Sequence, residues 1–98
     1  MSTEEQLQHA FEQAVQTIKD TPSSRFKPSN ELKLQMYALY KQATLGDVQG
    51  KRPGLLDMVG RAKFDAWAKL KGTTQSQAMT DYLEVFKEIN EKIHADGA

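Results

Sequence analysis

Lys33, Tyr37, Tyr40, Lys41 and Thr44 fall on one arc of a helix that turns about 100° per residue. Rings on such an arc offer flat faces to a purine, and ammonium groups offer mobile charge to a phosphate. The same arc also suits two tyrosines that pack their edges on a core beside solvated lysines. Further along, Val59, Lys63, Ala66, Trp67 and Leu70 share one side of a helix, so Lys63 is expected within an apolar arc. A buried unpaired charge is costly, so this lysine either reaches back to water or meets an anion. Tyr82 has apolar neighbours at helical spacing and a hydroxyl that needs a partner. Each signal is weak alone. Together they place cations and phenols where three helices could converge.

Catalytic constellations are scarce. His9 and His94 lie near opposite ends of the chain, and neither a Gly-x-Ser-x-Gly elbow nor a His-Glu-x-x-His pair occurs. Gly46, Gly50 and Gly54 are too scattered for a phosphate-cradling loop. Without cysteine there is no thiolate nucleophile, zinc-thiolate site or disulfide. Glu84, Glu88 and Glu91 read as a solvated helix face. The expectation is a protein that binds and does not catalyse.

Four helical segments must position these residues. The first, about 3–20, carries Leu7, Phe11, Ala14 and Ile18 at helical spacing, with Ser2 and Glu5 in capping-box register. Pro22 and Pro28 then disfavour continued helix. Ser29 is a plausible N-cap for a second helix, about 30–45, that stops at Gly46-Asp47. Leu32, Met36, Leu39 and Ala43 form its core stripe. A long linker through Met58 follows, expected to be pinned by Leu55 and Leu56 or to serve function. The third helix is expected at about 59–71, before Gly72. The fourth is expected at about 74–95, opened by Thr74 with Gln77 three residues on. Ala78, Met79, Tyr82, Val85, Phe86, Ile89 and Ile93 make its apolar face. No period-2 pattern is sustained, so the fold class is all-α, a four-helix bundle in a single domain over residues 1–98.

The 98 residues, 39% of them hydrophobic, suit one hydrophobic core. No apolar run approaches the roughly 20 residues of a membrane span, and the acidic start, Met1-Ser2-Thr3-Glu4-Glu5, is unlike a secretory signal. A cytoplasmic, monomeric protein without integral membrane association is expected. Net charge is zero but segregated: Arg25–Lys71 carries ten Lys/Arg and four Asp/Glu, while the flanks carry three and nine. The basic middle suits an anionic partner, or attraction between neighbouring helices. The acidic flanks argue against nucleic acid.

The run Tyr37-Ala38-Leu39-Tyr40-Lys41-Gln42-Ala43-Thr44-Leu45-Gly46-Asp47 resembles the signature of the acyl-CoA-binding protein family. So do Arg52-Pro53-Gly54-Leu55-Leu56-Asp57, Ala62-Lys63-Phe64-Asp65-Ala66-Trp67, Leu70-Lys71-Gly72-Thr73 and Ala78-Met79 with Tyr82. The resemblance implies a carrier of medium- to long-chain acyl-CoA. Its tail would lie in a bundle groove, and no cofactor is needed. It implies that Tyr37, Tyr40 and Lys41 contact the adenosine 3′-phosphate region and that Lys63 joins them. Tyr82 and Lys19 would complete the contacts, and Leu34 and Leu55 are candidate tail contacts. Three features depart from the family pattern. Val59 stands where many members carry a ligand-contacting lysine, a charge Arg61 could replace. Phe64 replaces a common tryptophan, and the first linker is slightly longer than usual. A helical module for a partner peptide would explain the amphipathic segments equally well, but not the tyrosine–lysine run.

Overall fold

The computed structural model describes residues 3–96, with side chains described to residue 93. It contains helices α1 (Thr3–Asp20), α2 (Asn30–Leu45), α3 (Met58–Ala68) and α4 (Gln75–Asp96), and no strand among the described residues. Local chemistry sets most of the boundaries. The Ser29 hydroxyl accepts the Leu32 amide at 3.1 Å and opens α2. Gly46, at φ 81°, ends it where a side chain would be strained. Thr74 caps α4 through the Gln77 amide at 3.0 Å, but the Gln77 side chain turns to Asp81 instead of closing the box. Ser2, the expected cap of α1, lies outside the described residues.

The helices lie side by side in the order α1, α4, α2, α3, in a flattened body of 44 × 37 × 17 Å. Contacts at the start of α4 with the end of α2 make those two antiparallel. Lys63 facing Tyr37, and Lys41 facing Trp67, make α2 and α3 parallel. The N-terminal half of α1 shares a hollow with the N-terminal turn of α4, so these also run together. The core sits where α4 is sandwiched: Phe11, Ala14, Met36, Leu39, Ala43, Ala78, Tyr82 and Ile89 are buried there. All of them belong to the apolar stripes expected from the helical period.

The expectations for α3 and its approach need correction. This helix packs against α2 alone and has no buried residue. Val59 and Lys63 are exposed, while Ala66, Trp67 and Leu70 are half-buried. With a single neighbour, only a narrow stripe can be covered, and the wider apolar arc opens to solvent. The helix stops at Ala68, short of the expected 71, because the chain tightens into i→i+3 bonds from Leu70 to Trp67 and Lys71 to Ala68. Leu55 and Leu56 do not pin the preceding linker, since both are exposed. Arg52 holds it instead, through paired bonds of 2.9 and 2.7 Å to Asp65.

Candidate functional site

Two grooves follow from the flattened order of helices. One lies between α1 and α2 with α4 beneath. Its two hollows, of about 550 and 420 Å³, share Val15 and Tyr40 as lining. The other, about 820 Å³, lies between α3 and α4 with α2 beneath. It is larger than either hollow of the first, and Glu31, Asp65, Asp81, Glu84 and Glu88 border it beside Lys69. Those carboxylates repel a phosphate, as Glu4 and Glu12 do at the wider hollow of the first groove; its smaller hollow is lined by Lys19 and Lys33 and by no carboxylate. The tyrosines and Lys19 converge on the first.

Tyr37, Tyr40 and Lys19 line the smaller hollow from opposite walls, and Tyr82 lines it from α4. Val15, Ile18, Met36 and Phe26 supply apolar surface there. Beside it, the Lys63 ammonium stands 5.2 Å from the Tyr37 ring centre and the Lys41 ammonium 5.7 Å from the same ring. Lys41 also lies 5.9 Å from the Trp67 ring. Both distances to Tyr37 are within cation–π reach, so the ring gathers two cations from two helices. Arg52–Asp65 is the ion pair recorded among the described residues, so neither ammonium is neutralised by a carboxylate. Lys63 therefore reaches water across an aromatic face. The bundle presents a doubly positive, ring-lined edge suited to a multiply charged anion.

Phe11 organises the phenols. Its ring stacks on Tyr40 at 6.1 Å and meets Tyr82 edge-on at 5.1 Å. Burial, then the neighbouring Tyr40, pushes the Tyr82 phenol up to about 12. Tyr82 lines the groove from α4, and its raised pKa keeps the phenol a neutral donor there. Above pH 10.0 the unfolded phenol ionises first, so this group destabilises the fold as pH rises from 10.0 to about 12. In an alkaline titration followed by phenolate absorbance, one tyrosine should ionise late, and Tyr82→Phe should remove that late step. If the variant keeps it, the late step does not belong to Tyr82.

Of the expected tail contacts, half-buried Leu34 borders the acidic groove, whereas Leu55 stands exposed on the linker. Arg61 points toward the Pro53 carbonyl at 3.5 Å. Sequence reasoning missed three features. Trp67 faces Lys41 and fixes the end of α2 by donating to the Gly46 carbonyl at 2.8 Å. Phe26 and Pro28 line the groove from a linker without periodicity, so no pattern marked them. Gln42, fully buried directly after Lys41, donates to the Thr73 carbonyl at 2.7 Å and to Asp47 at 2.9 Å. Asp47 also accepts the Gly72 amide at 2.9 Å. That bond first, then Gln42, holds the Asp47 carboxyl below its usual 3.8. Among the described residues, no group of three or more His, Asp or Glu could hold a metal ion.

A flattened four-helix bundle with an open, cationic, aromatic groove defines a binding module for an anionic ligand with a planar part. The chain belongs to the acyl-CoA-binding protein family: the profile described as Acyl CoA binding protein matches residues 8–86. It is 45% identical over 89 residues to acyl-CoA-binding domain-containing protein 1 of Oryza sativa, covering 91% of this chain and 94% of that protein. It is 44% identical over 89 residues to protein 3 of the same plant, covering 91% of this chain but 56% of that protein. Its match to protein 5 of Mus musculus is 45% over 82 residues, covering 83% of this chain and 16% of that one. Whole chains of some relatives are thus much longer than this one. The fold superposes on a crystal structure of Oryza sativa Acyl-CoA-Binding Protein 2 with a TM-score of 0.82, at 40% identity, over 91% of this chain and 96% of that one. An acyl-CoA-binding protein from Moniliophthora perniciosa gives 0.84 at 38% identity, over 95% and 84%.

Proposed function

We propose that this chain binds medium- to long-chain fatty acyl-CoA thioesters and releases them unchanged, as a cytoplasmic, monomeric carrier that maintains an acyl-CoA pool. Family membership supports the ligand class. The observation that carries the residue-level reading is the convergence of Lys41 and Lys63 on Tyr37 without a carboxylate partner.

In this reading Lys41 and Lys63 clamp the 3′-phosphate, and Tyr37 and Tyr40 bound the adenine. Tyr82 donates to the ligand from beneath, and Lys19 closes the opposite wall. The tail runs toward the end of the bundle where α2 and α3 begin. Val15, Ile18, Met36 and Phe26 of the tyrosine-lined hollow take the tail; Leu34, which borders the other groove, and exposed Leu55 touch it only where it leaves that hollow. Each buried methylene contributes about 0.8 kcal/mol, so ten give roughly 8 kcal/mol before ordering costs. A charge-assisted hydrogen bond to phosphate contributes about 1.5–3 kcal/mol. Affinity then comes mainly from the tail, and selection of coenzyme A esters over free fatty acids comes from the lysine pair.

Catalysis on the thioester would need a nucleophile and a base at the groove. Beside the Tyr82 phenol and the ammonium groups, the hydroxyls of Thr21 and Thr44 line the groove, and both are spent on backbone carbonyls of α1 and α2, at 2.7 and 2.8 Å. Incubation with palmitoyl-CoA should therefore return the ligand intact. Release of free coenzyme A thiol, in proportion to protein and time, would replace the carrier reading with a hydrolase.

A further inference from the structure

The groove between α3 and α4 is a gap that a further helix would fill. Among the described residues α3 and α4 do not touch each other, and both rest on α2. Buried Ala38 lies at the base of the groove, with half-buried Ala62, Ala66 and Leu70 on the α3 wall and Val85 on the α4 wall. Ala62 and Ala66 stand one turn apart, so the α3 wall is low and leaves room for bulky side chains to enter. An amphipathic helix normally covers its apolar face against a neighbour, yet α3 has no buried residue.

Charge distinguishes the occupants this groove suits. Glu31, Asp65, Asp81, Glu84 and Glu88 border it against Lys69 alone, in a chain whose net charge is zero. Arg52 takes up Asp65 at 2.7 Å, and no ion pair is recorded for the other four acids among the described residues. Asp81, Glu84 and Glu88 follow at helical spacing and form one stripe along α4. At a rise of 1.5 Å per residue the stripe runs about 10 Å. Glu31 extends it, because α2 begins beside the end of antiparallel α4.

An occupant must therefore bury an apolar side and set cations along one edge at intervals of three and four residues. A basic amphipathic helix meets both demands: its apolar side chains enter between α3 and α4, and its Lys or Arg flank follows the acidic stripe. A polyamine would meet the acids and leave the apolar walls uncovered. A neutral lipid would cover the walls and leave the acids unpaired.

We propose that the α3–α4 groove is a docking site for a basic amphipathic helix of a partner protein. The helix lies on α2 beside α4, away from the edge where Lys41 and Lys63 meet Tyr37. No bound thioester is needed, so the inference stands or falls apart from the ligand reading. Binding should weaken with salt, because charge is screened over about 8 Å at physiological ionic strength, but the apolar contact should persist.

The probe is a fluorescein-labelled peptide of about 18 residues, long enough to hold a helix, with leucine on one face and lysine on the other. A leucine–glutamate counterpart serves as control. Anisotropy gives the affinity, and amide chemical shifts of the isotope-labelled protein locate the contact. Glu84→Lys combined with Glu88→Lys reverses the stripe; both side chains are exposed, and circular dichroism confirms that the variant folds. Ala66→Trp fills the groove from the α3 side. The lysine peptide should shift amides of α3 and α4. Its affinity should fall about tenfold or more in the reversed variant, which should bind the glutamate peptide instead. Folded Ala66→Trp should lose the lysine peptide by a similar factor. Four results overturn the proposal: no binding to wild type, amide shifts confined to the tyrosine-lined groove, equal affinity in the reversed variant, or spermine binding as tightly as the peptide. The last would assign the groove to small polycations.

Discussion

Lys41→Ala should weaken palmitoyl-CoA binding about 10- to 100-fold while leaving thermal unfolding almost unchanged. The lysine is half-buried, and its ammonium stands 5.7 and 5.9 Å from two ring centres without a carboxylate partner. Removing it deletes a charge held for a ligand and leaves no buried anion behind. The sharper version is a double-mutant cycle with the palmitoyl ester of dephospho-coenzyme A, which lacks the 3′-phosphate. Wild-type protein should bind that ester about as weakly as Lys41→Ala binds the full ligand, and the variant should lose little more on the truncated ester. Equal losses for both ligands would place Lys41 away from the phosphate. Lys63→Ala should behave alike but more mildly, since Lys63 is exposed and water competes for its ammonium.

Gln42→Leu should destabilise the fold by about 2–3 kcal/mol, lowering the Tm by roughly 10–20 °C. Gln42 is completely buried, and its amide nitrogen serves two acceptors, Asp47 just past the end of α2 and the Thr73 carbonyl 31 residues on. Leucine keeps the volume but leaves the Thr73 carbonyl without that donor. The oxygen of the same amide has no partner among the described residues, so the site is already served only on its donor side. The variant should also change the acid limb of stability. A carboxyl depressed in the native state stabilises above its unfolded value, 3.8 for Asp47, and that contribution is lost as pH falls through the lower native value. Without Gln42 the native value of Asp47 rises toward 3.8, so less stability is lost on acidification. Chemical denaturation at neutral and acidic pH measures both effects, and a stability within error of wild type would remove Gln42 from the account.

Local rules reached some of this structure and long-range rules the rest. Ser29, Gly46 and Thr74 were legible as helix boundaries because a cap depends on residues within four positions. The stripes Phe11–Ala14 and Met36–Leu39–Ala43 were legible because helical period alone puts them on one face. The outward turn of Val59 and Lys63 was not. Which arc of α3 is covered depends on its having one neighbour, a property of the assembled bundle. Leu55 and Leu56 misled for a related reason: hydrophobicity suggests a pin, while the Gly54–Asp57 turn fixes them outward. At the candidate site, the shared arc of Tyr37, Tyr40 and Lys41 was visible from spacing. That Lys63 meets Tyr37, and that Tyr82 forms the floor, required either family resemblance or coordinates. Gln42 sat unnoticed inside the signature run, because its partners at Asp47 and Thr73 belong to loops that no periodicity describes.

Calorimetric titration with palmitoyl-CoA, with coenzyme A and free palmitate as controls, tests the central claim most directly. The account predicts one-to-one binding of the thioester and much weaker binding of either fragment, because tail burial and phosphate recognition act together on one groove. Palmitate binding as tightly as its thioester, or folded protein that ignores the thioester, would contradict it.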